Sequence, residues 1–219
     1  MPKVCLPYSK KTIEIEIDDK NLAGVLRSRA EDYKPQFGEA EIVERALDNP
    51  IASSKLEDLV KGKKDMVIIT SDHTRPVPSK IITPILLKRI RKVNSDIDIK
   101  ILIATGFHRA TTKEELIAKF GKDIVENENI IVHNSRDEES LVKIGTLPSG
   151  GDLIINKIAA ETELLIAEGF IESHFFAGFS GGRKSILPGI ASAKTIMANH
   201  CSEFIASPYA RTGKLNNNP

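Results

Sequence analysis

The stretch that decides the fold reads MVIITSDHTRPVPS and runs from residue 66 to residue 79. Its first five residues are apolar or β-branched, which is typical of a short strand buried on both faces of a sheet. Pro76 and Pro78 then prevent the chain from continuing as strand or helix. Ser79 is placed to cap a helix whose apolar residues recur at helical spacing. The stretch therefore predicts a strand, a polar loop and a helix.

The same order of elements recurs further along the chain. Residues 99–104 form a second apolar run, which breaks at the polar residues 106–109. Residues 112–115 read as a capping box that opens another helix, and residues 130–132 and 164–167 predict two more strands. Strands that alternate with helices predict an α/β fold, with a mostly parallel, Rossmann-like sheet and flanking helices.

The ends of the chain add to this plan. Residues 3–8 and 12–17 alternate apolar and charged side chains, which predicts an N-terminal β-hairpin. Residues 141–156 predict a second hairpin, and residues 191–205 predict a last continuous helix. We expect residues 1–219 to form one α/β domain that carries a cofactor and the catalytic residues.

The composition excludes several classes of function. Lys and Arg number 31 against 30 Asp and Glu, which leaves a net charge of +1 and gives no support for a nucleic-acid or membrane partner. The two cysteines, Cys5 and Cys201, lie at opposite ends and do not suggest a disulfide framework. No signal peptide and no run of about 18 apolar residues is evident. We therefore expect a cytoplasmic protein.

Polar residues cluster directly after the predicted strands. In an open α/β sheet, ligands bind beyond the carboxyl ends of the strands. The first strand leads into residues 71–75, the second into His108 and Arg109, and the fourth towards His174 and Lys184. Three of the five histidines thus follow predicted strands, and we expect them to act as a group.

The most unusual segment covers residues 172–189. Its four glycines lie close to Arg183, Lys184 and Ser185, as in a loop that binds phosphate through backbone amides. It is not a Walker A motif, because Arg183 stands where that motif requires glycine before the lysine. We expect the phenylalanines of this segment to pack beneath the loop.

Three other functions remain open at this point. His108, His174 and His200 could together bind zinc in a hydrolase, since three histidine ligands are known for catalytic zinc. The glycine-rich loop could instead belong to a module that binds a phosphate or nucleotide without catalysis. Lys184 could also form an imine with pyridoxal phosphate.

Four motifs in order resemble the lactate racemase family that uses a nickel-pincer nucleotide. They are SDHTRP at residues 71–76, GFHR at 106–109, the segment SHF…GFSGGRK at 173–184, and Asn199-His200. Each motif alone is weak, whereas their order over most of the chain is specific. The family's function is racemisation of 2-hydroxy acids, above all lactate, which makes the expected enzyme an isomerase.

The resemblance implies a cofactor and its ligands. The cofactor is pyridinium-3-thioamide-5-thiocarboxylic acid mononucleotide with bound nickel, supplied by cofactor-synthesis proteins. Lys184 resembles the lysine that binds the nucleotide covalently, and His200 resembles the protein's nickel ligand. Asp72 and Arg75 resemble residues that line the nucleotide and substrate site, and Arg75 is suited to binding the substrate carboxylate.

The resemblance also implies a reaction. His108 and His174 resemble the two catalytic bases of a proton-coupled hydride transfer. This is chemically reasonable, because the C2 hydrogen of lactate is poorly acidic beside an ionised carboxylate, and a racemase needs a base for either orientation of the hydroxyl group. Family members also have a C-terminal domain that closes over the cleft, and the present sequence stops before it.

Overall fold

The computed structural model describes residues 2–219. The chain divides into two compact units, Met1–Gly38 and Glu39–Pro219. The idea that residues 1–219 act as one cofactor-carrying domain of a larger protein stays a prediction. No helix in residues 2–219 has the length and apolar character needed to cross a membrane.

The N-terminal unit contains the expected hairpin. Strand β1 (Lys3–Tyr8) pairs antiparallel with β2 (Lys11–Glu16). The alternation of apolar and charged residues predicts this hairpin. It places the second strand at residues 12–17, one residue later than the structure does. Two short 3-10 turns follow, Asp19–Asn21 and Arg29–Asp32.

The second unit alternates strands and helices. Its strands are β3 (Asp65–Ser71), β4 (Asp98–Ala104), β5 (Asn129–Val132), β6 (Leu141–Thr146), β7 (Asp152–Asn156), β8 (Leu165–Ala167), β9 (Ser173–His174) and β10 (Gly178–Phe179). Its helices are α1 (Glu39–Asp48), α2 (Leu56–Leu59), α3 (Ser79–Val93), α4 (Lys113–Phe120), α5 (Lys122–Asn127), α6 (Lys157–Glu161), α7 (Ala193–Asn199) and α8 (Ser202–Ala206). Short 3-10 turns are present at Glu138–Ser140 and Gly182–Ser185.

A four-stranded parallel sheet forms the centre of this unit. The strand order is β5-β4-β3-β8, and every neighbouring pair is parallel. Separate antiparallel hairpins are formed by β6 with β7 and by β9 with β10. The predicted α/β class, the mostly parallel sheet and the flanking helices are confirmed.

Strand β3 is buried on both faces, as its unbroken apolar run predicts. Met66 and Ile68 pack on one side with apolar residues of α3. Val67 and Ile69 pack on the other side in a cluster that includes Ile196 of α7. Successive side chains of a strand point to opposite faces, so one short strand joins two layers of core.

Two local predictions are wrong. The last helix is not continuous over residues 191–205, because α7 ends at Asn199 and α8 begins at Ser202, with His200 as the C-cap of α7. Ser79 does not cap α3; the capping residue is Pro78, and the Ser79 hydroxyl donates a hydrogen bond to Glu168 instead. By contrast, the capping box formed by Thr112 and Glu115 at the start of α4 is confirmed.

Candidate active site

A cleft of about 280 Å³ lies at the carboxyl ends of β3 and β4. It brings together every side chain that the sequence analysis singled out for catalysis, cofactor binding or substrate binding. These are Asp72, Arg75, His108, His174, Lys184 and His200. Residues from four separated stretches of the chain thus converge on one cleft. Its position agrees with the expectation that ligands bind beyond the carboxyl ends of the strands in an open α/β sheet.

Asp72 and His108 form a hydrogen-bonded pair at the ends of β3 and β4. Their atoms Oδ2 and Nδ1 are 2.6 Å apart. Asp72 is only 2% exposed, and its other oxygen accepts hydrogen bonds from the backbone and hydroxyl of Thr74. Burial alone would raise the pKa of Asp72, but the bonds from Thr74 and His108 outweigh it and hold that pKa below its ordinary value. Asp72 is therefore an ionised acceptor that orients the imidazole of His108.

The loop before His108 is tied to the far side of the cleft. The backbone N–H of His108 donates to the Thr105 carbonyl at 2.9 Å, and that of Gly106 donates to the Gly189 carbonyl at 2.9 Å. Gly106 has a φ of +54°, which a residue with a side chain rarely adopts. These bonds fix His108 relative to the loop that follows Lys184.

His174 lies on the short β9–β10 hairpin. Its Nδ1 accepts the backbone N–H of Ala177 at 3.2 Å, and its ring stacks on Phe175 with centroids 4.9 Å apart. Burial lowers the pKa of His174, and the positive charges of Lys184 and Arg75 lower it further. The ring is therefore neutral at neutral pH.

Lys184 lies in the 3-10 turn Gly182–Ser185, which follows the glycine-rich part of the loop. Burial lowers the pKa of its ammonium group, and the positive charge of Arg75 acts in the same direction. A lysine whose pKa is lowered has more of the neutral amine, which is the nucleophilic form. The position thus suits covalent attachment of an electrophilic group.

His200 is the C-cap of α7, and its backbone N–H donates to the Ile196 carbonyl at 2.8 Å. Within residues 2–219 its side-chain Nδ1 is buried and makes no hydrogen bond of normal geometry. Burial and the charge of Lys184 lower the pKa of His200, although the Ile196 carbonyl acts in the opposite direction. A neutral imidazole with an unused buried nitrogen is a good ligand for a transition metal.

Arg75 is the side chain best placed to bind an anion in the cleft. Its side chain is 41% exposed, and its guanidinium lies 3.8 Å from the Glu172 carboxylate. This distance is too long for a hydrogen bond. A planar guanidinium in such a position can bind a carboxylate through two parallel hydrogen bonds.

The residues present fit a tethered metal cofactor. Lys184 offers an amine, His200 offers an unused imidazole nitrogen, and both line the same cleft. Among residues 2–219 no group of three His, Cys, Asp or Glu side chains is arranged to hold a metal ion, so the three histidines of the zinc alternative do not form such a group. A metal ion held by one histidine and by a bound nucleotide does not require such a group of three protein side chains.

One buried residue outside the cleft has no signal in the sequence, and the packing expected of the phenylalanines is only partly found. Glu168, directly after β8, is 6% exposed and accepts hydrogen bonds from Ser79 and from Thr83, the latter at 3.2 Å. A lone glutamate after a strand carries no periodic signal that would have identified it. The phenylalanines do not all pack beneath the loop either: Phe175 is 73% exposed, whereas the Phe176 ring meets His174 and His200 edge-on.

The two remaining histidines do not line the cleft. His133 is buried, bonded through Nε2 to the Ala191 carbonyl at 3.0 Å. His73 contacts the Thr111 hydroxyl at 3.2 Å and the Glu115 carboxylate at 3.6 Å. His73 follows a predicted strand, as His108 and His174 do, but it does not join them in the cleft.

The chain is similar to proteins of known name. The lactate racemase of Lactiplantibacillus plantarum is 66% identical over 218 residues, and that of Thermoanaerobacterium thermosaccharolyticum is 62% identical over 219 residues. Each alignment covers 100% of this chain and 51% of the relative. The chain therefore spans about half the length of the curated relatives it matches.

Solved structures agree with the fold. The lactate racemase apoprotein from Thermoanaerobacterium thermosaccharolyticum superimposes with a TM-score of 0.91 at 60% identity, over 100% of this chain and 51% of that one. A protein from Thermotoga maritima gives a TM-score of 0.65 at 23% identity, over 81% and 44% of the two chains, and supports the fold alone. A sequence profile described as the lactate racemase N-terminal domain matches residues 8–213. The chain belongs to the family of lactate racemase N-terminal domains.

Proposed function

We propose that the protein containing this chain racemises a 2-hydroxy acid, most simply lactate, with a nickel-pincer nucleotide as cofactor. The observation that carries the proposal is the convergence of Lys184, His200 and the pair His108 and His174 on a single cleft. The names of the relatives support lactate as the substrate.

Lys184 and His200 would hold the cofactor. Lys184 would tether the nucleotide through its thioamide, and the lowered pKa of the amine favours that bond. His200 would coordinate nickel, which would use the imidazole nitrogen that lacks a partner among residues 2–219. When bound, this group would supply the acceptor, and later the donor, of the hydride at C2 of the hydroxy acid.

Arg75 would bind the carboxylate of the substrate. Its loose approach to Glu172, 3.8 Å away, leaves guanidinium donors for a second carboxylate. A carboxylate fixed at this point would keep C1 in place while C2 changes configuration.

His108 and His174 would move the hydroxyl proton. One imidazole takes the proton from the hydroxyl oxygen as C2 is oxidised, and an imidazole returns a proton to that oxygen when C2 is reduced on its other face. Asp72 would stabilise the positive charge on His108 during this step, because their atoms are 2.6 Å apart. Racemisation then follows from delivery of hydride to either face of a planar keto acid.

The proposal applies to the full-length protein. The chain spans about half the length of its curated relatives, and the remaining half would close the cleft and complete substrate binding. Proteins that synthesise the nucleotide would be the partners that supply the mature cofactor.

Intact mass spectrometry and metal analysis test this proposal. We expect full-length protein made together with the cofactor-synthesis proteins to carry a nucleotide-sized adduct on the peptide containing Lys184, together with stoichiometric nickel. Lys184→Ala should remove both the adduct and racemase activity, whereas Lys194→Ala, which changes an exposed lysine paired with Glu138, should preserve both. His200→Ala should lose nickel. Full activity in Lys184→Ala, or zinc in place of nickel, would contradict the proposal.

A further inference from the structure

We infer that the two histidines of the cleft are held in opposite tautomers, so that His108 presents an unprotonated Nε2 to a ligand and His174 presents an Nε2–H. Asp72 and the backbone amide of Ala177 act as the positioning groups that fix these two states. The hydrogen bonds that fix the two tautomers do not depend on the proposed function, and only their catalytic consequence rests on it.

The partner of His108 can only accept a hydrogen bond. One oxygen of Asp72 accepts two bonds from Thr74, and the other lies 2.6 Å from Nδ1 of His108. An ionised carboxylate has no proton to donate. Nδ1 of His108 must therefore carry the proton, and in the neutral ring Nε2 is left with a free lone pair.

The partner of His174 can only donate. The backbone N–H of Ala177 points to Nδ1 at 3.2 Å, and the N–H of Phe176 approaches the same atom at 3.5 Å. A backbone amide has no lone pair to offer on nitrogen, so Nδ1 must be unprotonated. The proton of the neutral His174 ring is therefore on Nε2.

Two phenylalanines set the plane of the His174 ring. Phe175 stacks on the ring with an interplanar angle of 12°, and Phe176 meets it edge-on with centroids 4.6 Å apart. A 180° flip within this plane would put Cδ2 in the place of Nδ1 and would lose the hydrogen bond from Ala177, so the amide bonds decide which edge of the ring faces the turn.

Opposite tautomers give the two histidines different first steps. His108 can accept a hydroxyl proton at once, and the new proton on Nε2 leaves Nδ1–H still bonded to Asp72. His174 first donates a hydrogen bond to the oxygen. Nε2 of His174 can accept a proton only after the proton that it already carries has moved through solvent to Nδ1. A protonated Nδ1 can no longer accept the hydrogen bond from Ala177.

The difference between the tautomers of His108 and His174 can affect the kinetic constants of the two enantiomers only within a limit. The two enantiomers of a racemase reaction have equal free energy, so kcat/KM must be the same in both directions. Both directions pass through the same rearrangement of the His174 protons, so any difference between the enantiomers should appear as the same ratio in kcat and in KM.

Imidazole 15N NMR of the full-length protein measures the tautomers directly, with or without the cofactor. Long-range proton–nitrogen correlations are recorded with rising pH until the ring signals stop moving, and His108→Gln and His174→Gln assign the two rings. We expect the Nδ1–H form for His108 and the Nε2–H form for His174. The same tautomer in both rings, a reversed assignment or a mixture in either ring would overturn the inference. None of these results depends on whether the protein racemises lactate.

Substitution of the positioning groups provides the second test. Asp72→Ala should move His108 to the Nε2–H form that a histidine side chain prefers in water, while His174 stays unchanged. Asp98→Ala removes an exposed carboxylate that pairs with Lys100 and should alter neither ring. If His108 keeps its Nδ1–H form in Asp72→Ala, Asp72 is not the positioning group.

Discussion

At the scale of single residues, Gly178 shows how tightly the hairpin of His174 is enclosed. Gly178 pairs with His174 across the β9–β10 hairpin and has a φ of +84°. A Cβ at this position would lie 2.0 Å from the backbone oxygen of Lys214, and the Gly178 carbonyl accepts the N–H of Gly213 at 2.9 Å. The segment around Lys214 thus packs directly on the hairpin, with no room for a side chain.

We expect Gly178→Ala to destabilise the protein by at least about 2 kcal/mol, because a left-handed backbone costs a residue with a side chain roughly 1–2 kcal/mol and steric overlap adds to it. Thermal unfolding should show a Tm lower by roughly 4–8 °C. Gly62→Ala is the matched control, since Gly62 has a φ of +70° but nothing within 4 Å of its Cβ position. Equal losses in the two variants would mean that the contact with Lys214 is unimportant.

The sequence predicted which residues share the cleft but not what each one contacts. Asp72, His108 and His174 follow predicted strands, and the rule for open parallel sheets is enough to bring them together. The Asp72–His108 bond joins residues 36 positions apart, and the bond to Nδ1 of His174 depends on the turn after β9. Neither contact has a periodic signature, so the sequence left both histidines equivalent.

At the scale of secondary-structure elements, Arg89 connects the helices on one face of the sheet. Its guanidinium is hydrogen-bonded to Glu44 at 2.8 Å and Asp48 at 2.6 Å in α1, and to Glu57 at 2.5 Å in α2. The Arg89 side chain is only 14% exposed. Arg89 belongs to a basic run at the end of α3, yet carboxylates of two other helices bind it instead of solvent.

We expect Arg89→Ala to lower the free energy of unfolding by about 1–3 kcal/mol, because three carboxylates lose a charged donor and the side chain leaves a partly buried site. Lys88→Ala makes the same change of charge at the exposed neighbouring position and should stay within about 0.5 kcal/mol of the parent. Urea unfolding of the two variants provides the comparison. Similar values for both would show that the network contributes little.

The start of α3 shows why a local preference can fail. Ser79 has the chemistry of a cap, yet a buried carboxylate, Glu168, accepts the hydrogen bond of its hydroxyl. This tertiary contact overrides a valid local preference, which single-sequence reasoning cannot weigh. The apolar spacing of residues 191–205 is compatible with one helix, but α7 ends with His200 as its C-cap and Cys201 is the N-cap of α8.

At the scale of the whole molecule, Glu168 joins the central sheet to α3. It follows β8 and accepts hydrogen bonds from Ser79 and Thr83 of α3. Burial raises the pKa of Glu168, although the hydrogen bonds and the charge of Lys119 oppose that shift. The folded protein therefore holds a proton on Glu168 more tightly than the unfolded chain does.

This linkage predicts a pH dependence of stability. With a folded-state pKa above its ordinary value of 4.5, Glu168 contributes stability that is complete below that value and is lost as the pH rises through the folded-state pKa. Glu168→Gln, which resembles the protonated acid, should gain stability relative to the parent between acidic and neutral pH.

Urea unfolding at about pH 5 and at about pH 8 measures this difference in the free energy of unfolding. Glu161→Gln changes an exposed carboxylate of α6 and should follow the parent at both pH values. A constant difference between Glu168→Gln and the parent would contradict the raised pKa.

The fold class and the location of the cleft were accessible from the sequence, whereas the order of the strands was not. Apolar runs followed by polar loops identify strands and the edge where ligands bind. The placement of β8 beside β3, rather than beside β5, depends on long crossover connections whose path no local pattern records.

The cap of α7 sets a length requirement for this region. Ser192 starts the helix and His200 ends it two turns later, and each residue of an α-helix advances the side-chain direction by about 100°. Insertion or deletion of one residue between them would turn the imidazole away from the cleft even though Ser192 and His200 were both kept. The spacing of eight between these positions is thus as much a part of the site as the histidine itself.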